Sequence, residues 1–154
     1  MPSDAAILAN IQQAFAHCPR PAHFTDYTHC EECRDHDKSL LACDRATLSL
    51  EVVGNPGWDP ICFVSPEGFA YYFPALARLA LEPPTDSEDW YVPQLLFHLL
   101  YKEAFWQHCS PTQRAAVAAL IQHLIETRAE FLDYYLCEEE VLMAWDFWSN
   151  ISGF

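Results

Sequence analysis

Positive charge is scarce in this chain. Its 154 residues include 8 Lys and Arg against 22 Asp and Glu, a formal net charge of -14. Such a surface repels the nucleic-acid backbone and anionic membranes, so neither is expected as a partner, whereas a basic protein would be attracted and steered. The plainer alternative is that the acidity serves solubility. The excess is uneven: residues 1–81 hold 10 acids and 5 bases, residues 82–154 hold 12 and 3, so the second half should supply more of the acidic surface. Glycine is scarce as well, at 4 residues, which argues against a β-sandwich with its many tight turns. No apolar run approaches the length of a membrane span, and the N-terminus lacks both a basic region and a continuous apolar stretch. With 7 cysteines, an odd count, the expected compartment is a reducing cytoplasm with thiols free or metal-bound. No GxSxG, Walker A, GxGxxG or HExxH pattern occurs. A non-catalytic protein is therefore expected. A thiol-dependent activity stays open, because a Cys/His pair is assembled in space rather than in sequence.

What the chain does have is apolar mass. Half of it is hydrophobic, with 10 Phe, 7 Tyr and 5 Trp, ample for a core. The pattern predicts one all-α domain over 1–154, built from about five to seven packed helices. Ser3 fits an N-cap, with Ile7, Leu8, Ile11 and Phe15 at helical spacing. A second helix is expected over about 30–43. Residues 45–54 suit either a short strand or a helix capped by Gly54, and Asn55 to Pro60 is a turn cluster. Ser65-Pro66 and Ser110-Pro111 are helix starts. Pro74 predicts a kink or restart in the first of these helices, and the second is expected to run on to about Tyr135. Between them, 82–89 reads as a surface loop, and one helix should carry Val92 through Trp106. A last helix from Glu138 to Trp148 opens with three acids, which suit the positive end of its dipole.

The densest chemistry is His29-Cys30-Glu31-Glu32-Cys33-Arg34-Asp35-His36. On a helix, Cys30, Cys33 and His36 advance by about 300° per step and can converge beside it. Zinc is the cofactor that would suit Cys30, Cys33 and His36, with a fourth ligand from His23, Cys18, Asp26 or Cys43. This is half of a zinc signature. The same spacing suits a redox pair or unmetallated thiols, and the two glutamates between the cysteines are expected to disfavour a thiolate. His98, His108 and His123 read as partly buried histidines, and Cys62, Cys109 and Cys137 as small core side chains. Trp58-Asp59-Pro60 and Phe69 to Leu76 suit core packing, or else an aromatic surface for a partner.

His-Cys-x-x-Cys near residue 30, Trp-Asp-Pro at 58–60 and Ser-Pro-Glu-Gly-Phe-Ala-Tyr-Tyr-Phe-Pro-Ala at 65–75 together resemble an uncharacterised family of small bacterial proteins, over roughly 20–82. That family supplies no functional residues. In size, charge and lack of catalytic motifs the chain also resembles immunity proteins of contact-dependent toxin systems. This implies an inhibitor that covers the basic groove of a cognate toxin, a nuclease for example; because the second half carries more of the excess charge, Glu138, Glu139 and Glu140 are candidate contact residues. A small zinc-binding protein is the alternative.

Overall fold

Residues 1–85 and 89–152 are described by a computed structural model, with no side-chain description at 151 and 152; three residues of the expected 82–89 loop thus lie outside it. The described residues are 69% helical and contain no strands. Nine helices occur among them, six of seven residues or more, slightly above the expected number. They are α1 Asp4–Ala14, α2 Glu31–Leu41, α3 Leu50–Val53, α4 Pro66–Leu81, α5 Val92–Tyr101, α6 Glu103–His108, α7 Pro111–Thr127, α8 Ala129–Tyr134 and α9 Glu138–Ser152. Two 3-10 turns, Pro56–Trp58 and Pro60–Phe63, join α3 to α4.

The helix starts follow local chemistry. Ser3, Ser65 and Ser110 each accept a backbone N–H in the first turn, and Ser110 forms a reciprocal capping box with Gln113. Within 45–54 there is no strand: 45–47 form a turn and Leu50–Val53 the short helix α3, ended at Gly54. α4 passes through Pro74 without a restart, although the ring leaves the Ala70 carbonyl without its usual donor. The two extra helices come from two breaks. The expected 92–106 helix ends at Lys102, whose ammonium reaches back to the Cys62 and Val64 carbonyls, both at 3.3 Å. The expected 110–135 helix breaks at Arg128, whose guanidinium bonds the Leu81 carbonyl at 2.9 Å and Asp4 at 2.7 Å.

α4 is the central element, buried along most of its length and flanked by α1, α5 and α6. Phe15, Phe69, Phe73 and Phe105 pack around it with ring centroids 4.3–6.3 Å apart. The Phe69–Leu76 stretch is therefore core. α9 lies across α7 and α5, and α2 packs on the second 3-10 turn.

Six of the eight bases donate to backbone carbonyls. Arg20 holds Leu41 and Cys43, Arg45 holds Phe15 and Tyr71, Arg78 holds Arg45 and Leu48, Lys102 holds Cys62 and Val64, Arg114 holds Trp106, and Arg128 holds Leu81. Several of these carbonyls end helices and have no intrahelical donor. The cations are thus turned largely to the fold's own backbone, and only Arg78 and Arg128 also pair with acids, Glu82 and Asp4, among the described residues.

Asp4 ties α1 to this scheme. Its carboxylate accepts Arg128 at 2.7 Å and buried His123 at 2.6 Å, and the Arg128 hydrogen bond chiefly holds its carboxyl below the ordinary value. A depressed folded value means the contribution is complete above the unfolded value near ~3.9 and fades as pH falls through the folded one. Asp4→Asn should therefore be less stable than the parent at neutral pH, and the two melting temperatures should begin to converge as pH falls below about 4 and meet once it is below the folded value. A difference that persists unchanged in acid would remove the ion-pair explanation.

Candidate functional site

Three places gather chemistry. The first is the start of α2. The helix begins at Glu31, so Cys30 is its N-cap in extended conformation, and its Sγ accepts the Cys33 N–H at 3.4 Å. His29, in the preceding turn, places Nδ1 3.8 Å from the Cys33 sulfur. Donor atoms of His29, Cys30 and Cys33 all lie within 4.8 Å of one another. The Cys33 N–H, then the His29 ring, hold the Cys30 thiol below its ordinary value. At Cys30 these contacts outweigh the effect expected of Glu31 and Glu32, whereas at Cys33 the charge of Glu32 adds to the rise as expected. Cys33 moves the other way, raised by its hydrogen bond with Cys30 and by burial.

The structure does not bring His36 into this group. That histidine is fully buried, stacked on Phe63 at 5.0 Å and against Trp58 at 4.5 Å, with Nε2 facing Glu32 at 3.3 Å. The equal-step argument from Cys30 fails because Cys30 is outside the helix and swings toward His29. Among the expected fourth ligands, His23 is committed to buried Asp37 at 2.7 Å, Cys18 accepts Gln113, and the Cys43 thiol is raised by burial. Asp26 remains, close enough for its charge to act on both His29 and Cys33.

The second place lies between the 3-10 turns and α5. Asp59 caps the second turn through the Ile61 N–H at 2.9 Å, while its other oxygen accepts Gln94 at 3.0 Å and His98 Nε2 at 2.8 Å. Both Asp59 and His98 are buried, so this is a desolvated polar network. Cys62 is exposed, unlike Cys109 and Cys137, which are core residues as expected. Asp59, Cys62 and His98 bring donor atoms within 4.8 Å of one another at a cleft of about 420 Å³. Burial, with Asp59's charge adding, raises the Cys62 thiol. Sequence reading missed this group: its only signal was Asp59 followed by Cys62, and the third donor lies 39 residues from Asp59.

The third place is the turn from α8 into α9. Leu136 adopts φ 55, and its N–H and that of Cys137 bond back to the Asp133 and Leu132 carbonyls. This is the Schellman arrangement that ordinarily takes glycine. Leu136 is 86% exposed, near Tyr101 at 69% and Phe97 at 53%. Leu136, Phe97, Tyr101 and Glu140 line a shallow cleft of about 380 Å³. Glu138, Glu139 and Glu140 follow directly and are all exposed.

No family model, curated protein or solved structure matches the chain. Among the described residues no helix is long and apolar enough to cross a membrane.

Proposed function

We propose that this is a non-catalytic binding protein of the bacterial cytoplasm: an immunity-type inhibitor that neutralises a toxin by covering its basic surface, such as a nuclease groove. The observation that carries the reading is Leu136. A left-handed conformation costs a leucine about 1–2 kcal/mol that glycine avoids. Strain of this kind at an exposed site points to use of the side chain. An apolar knob with aromatic neighbours, followed by three carboxylates at a helix start, is complementary to an apolar pocket rimmed by Lys and Arg.

The test is rescue of growth when the chain is co-expressed with a toxic product of the adjacent gene, together with binding kinetics across a salt series. Association should slow as salt rises, since screening acts over a Debye length of about 8 Å near physiological strength, while dissociation changes less. Glu138→Lys, Glu139→Lys and Glu140→Lys combined should slow association more than reversals near the N-terminus. No rescue, or an on-rate indifferent to salt, would leave the acidity as a solubility device.

Leu136→Gly separates binding from folding. It should raise stability by about 1 kcal/mol, read as a higher urea midpoint at unchanged slope, and accelerate dissociation from the partner. A loss of stability would mean that the leucine serves the fold.

A second reading is favoured by the donors at α2: zinc held by His29, Cys30 and Cys33, with Asp26 or solvent completing the shell. The lowered Cys30 value suits it, because the thiolate is the form that binds metal. Native mass spectrometry of protein purified without chelator should show one zinc at this site, lost with a fall in melting temperature in Cys30→Ser/Cys33→Ser. His29→Gln should weaken it at least tenfold while His36→Gln leaves it in place. The reverse histidine pattern would refute the His29 assignment.

A further inference from the structure

We infer that Asp59 Oδ2, Cys62 Sγ and His98 Nε2 form a divalent zinc site, separate from that at α2, whose open fourth position faces the cleft between the second 3-10 turn and α5. The three donors already converge within 4.8 Å. His98 Nε2 and Asp59 Oδ2 are hydrogen-bonded at 2.8 Å. A tetrahedral ion with Zn–N and Zn–O bonds near ~2.1 Å needs about 3.4 Å between those atoms, so replacing the proton asks for an opening of roughly half an ångström. The set of one nitrogen, one oxygen and one sulfur suits zinc or cobalt and is too soft for magnesium or calcium. A carboxylate and a thiolate would neutralise the ion's charge locally.

The surroundings fit an outer shell. The Ile61 N–H holds the second Asp59 oxygen, and Gln94, itself tied to the Val53 carbonyl at 2.8 Å, donates to the first. Cys62 is exposed and gives an entry path, and Pro56, Pro93 and Phe97 form apolar walls of the cleft. Nearby, the Tyr91 hydroxyl is buried with no hydrogen-bond partner among the described residues, and burial, with the charge of Asp59 adding, holds it protonated. A buried hydroxyl without a partner costs about 1–3 kcal/mol. A water within hydrogen-bond reach of that hydroxyl would supply one. Lys102 opposes a cation here, but its ammonium is turned to the Cys62 and Val64 carbonyls.

The alternative is a purely structural Asp–His–Gln network that binds no ion. Cobalt(II) titration of the full chain carrying Cys30→Ser/Cys33→Ser decides between them. One equivalent should bind, with tetrahedral d–d bands and a thiolate-to-cobalt charge-transfer band in the near ultraviolet. Adding Cys62→Ser should abolish the charge-transfer band, and His98→Gln should weaken binding at least tenfold. In the otherwise unaltered chain, Cys62→Ser alone should lower the bound cobalt by one equivalent. This second arm does not depend on the α2 variants folding, and Cys62 is a surface residue whose replacement spares the core. Absence of a charge-transfer band in Cys30→Ser/Cys33→Ser, or a stoichiometry unmoved by Cys62→Ser, would overturn the site. The result is independent of whether a toxin partner exists.

Discussion

Trp148→Ala should destabilise the protein by about 3–5 kcal/mol, measured by urea denaturation. Trp148 is fully buried on α9 with its ring 5.7 Å from Phe105, where α9 meets the central aromatic cluster. Its indole N–H donates to the Leu99 carbonyl at 3.0 Å. Leu99 lies in the last turn of α5, where carbonyls have no intrahelical donor, so truncation leaves both a cavity and an unpaired acceptor. A loss of this size is a large share of the ~5–15 kcal/mol typical of a domain. Trp148→Phe separates the two contributions: it keeps most of the packing and should lose chiefly the hydrogen bond, about 1–2 kcal/mol. Because α9 carries Glu138, Glu139 and Glu140 at its other end, Trp148→Ala should also weaken partner binding without touching the contact surface. A loss below ~1 kcal/mol would mean that α9 is dispensable to the core.

Asp59→Ala, measured in the presence of chelator, should cost a further figure of the same order, about 3–5 kcal/mol. It removes the acceptor of buried His98, of Gln94 and of the Ile61 N–H at once. The penalty comes from stranding those donors rather than from a favourable pair energy, since burying the pair is itself expensive. Asp59→Asn keeps one acceptor oxygen and should lose less. Chelator matters here because any bound ion would add its own binding free energy to the difference.

Much of this architecture was legible because it is local. Ser3, Ser65-Pro66 and Ser110-Pro111 announce helix starts whatever lies around them, and the apolar stripes of α4 and α7 fix their inner faces. The breaks at Lys102 and Arg128 were not legible. Each is made by a cation reaching a carbonyl far along the chain, Cys62 in one case and Leu81 in the other. The α2 motif shows both outcomes. Cys30 and Cys33 declare themselves by spacing, but the choice between His29 and His36 depends on where the first helical turn begins and on Trp58 and Phe63 drawing His36 inward. Asp59, Cys62 and His98 gave no such signal, because separate segments meet only after folding.

The commitment of the basic side chains to carbonyls has a consequence for proteolysis. Trypsin cuts only after Lys and Arg, and six of the eight such residues here are tied to the fold. The bond after Arg20 is also guarded by Pro21, since the enzyme does not cut before proline. The two bases left uncommitted among the described residues, Arg34 and Lys38, lie one turn apart on α2, just past Cys30 and Cys33. A protease needs the helix opened before it can cut there, so tryptic nicking at 34 and 38 in native protein measures the opening of α2. The cutting rate at 34 and 38 then reports how firmly the Cys30–Cys33 turn is closed.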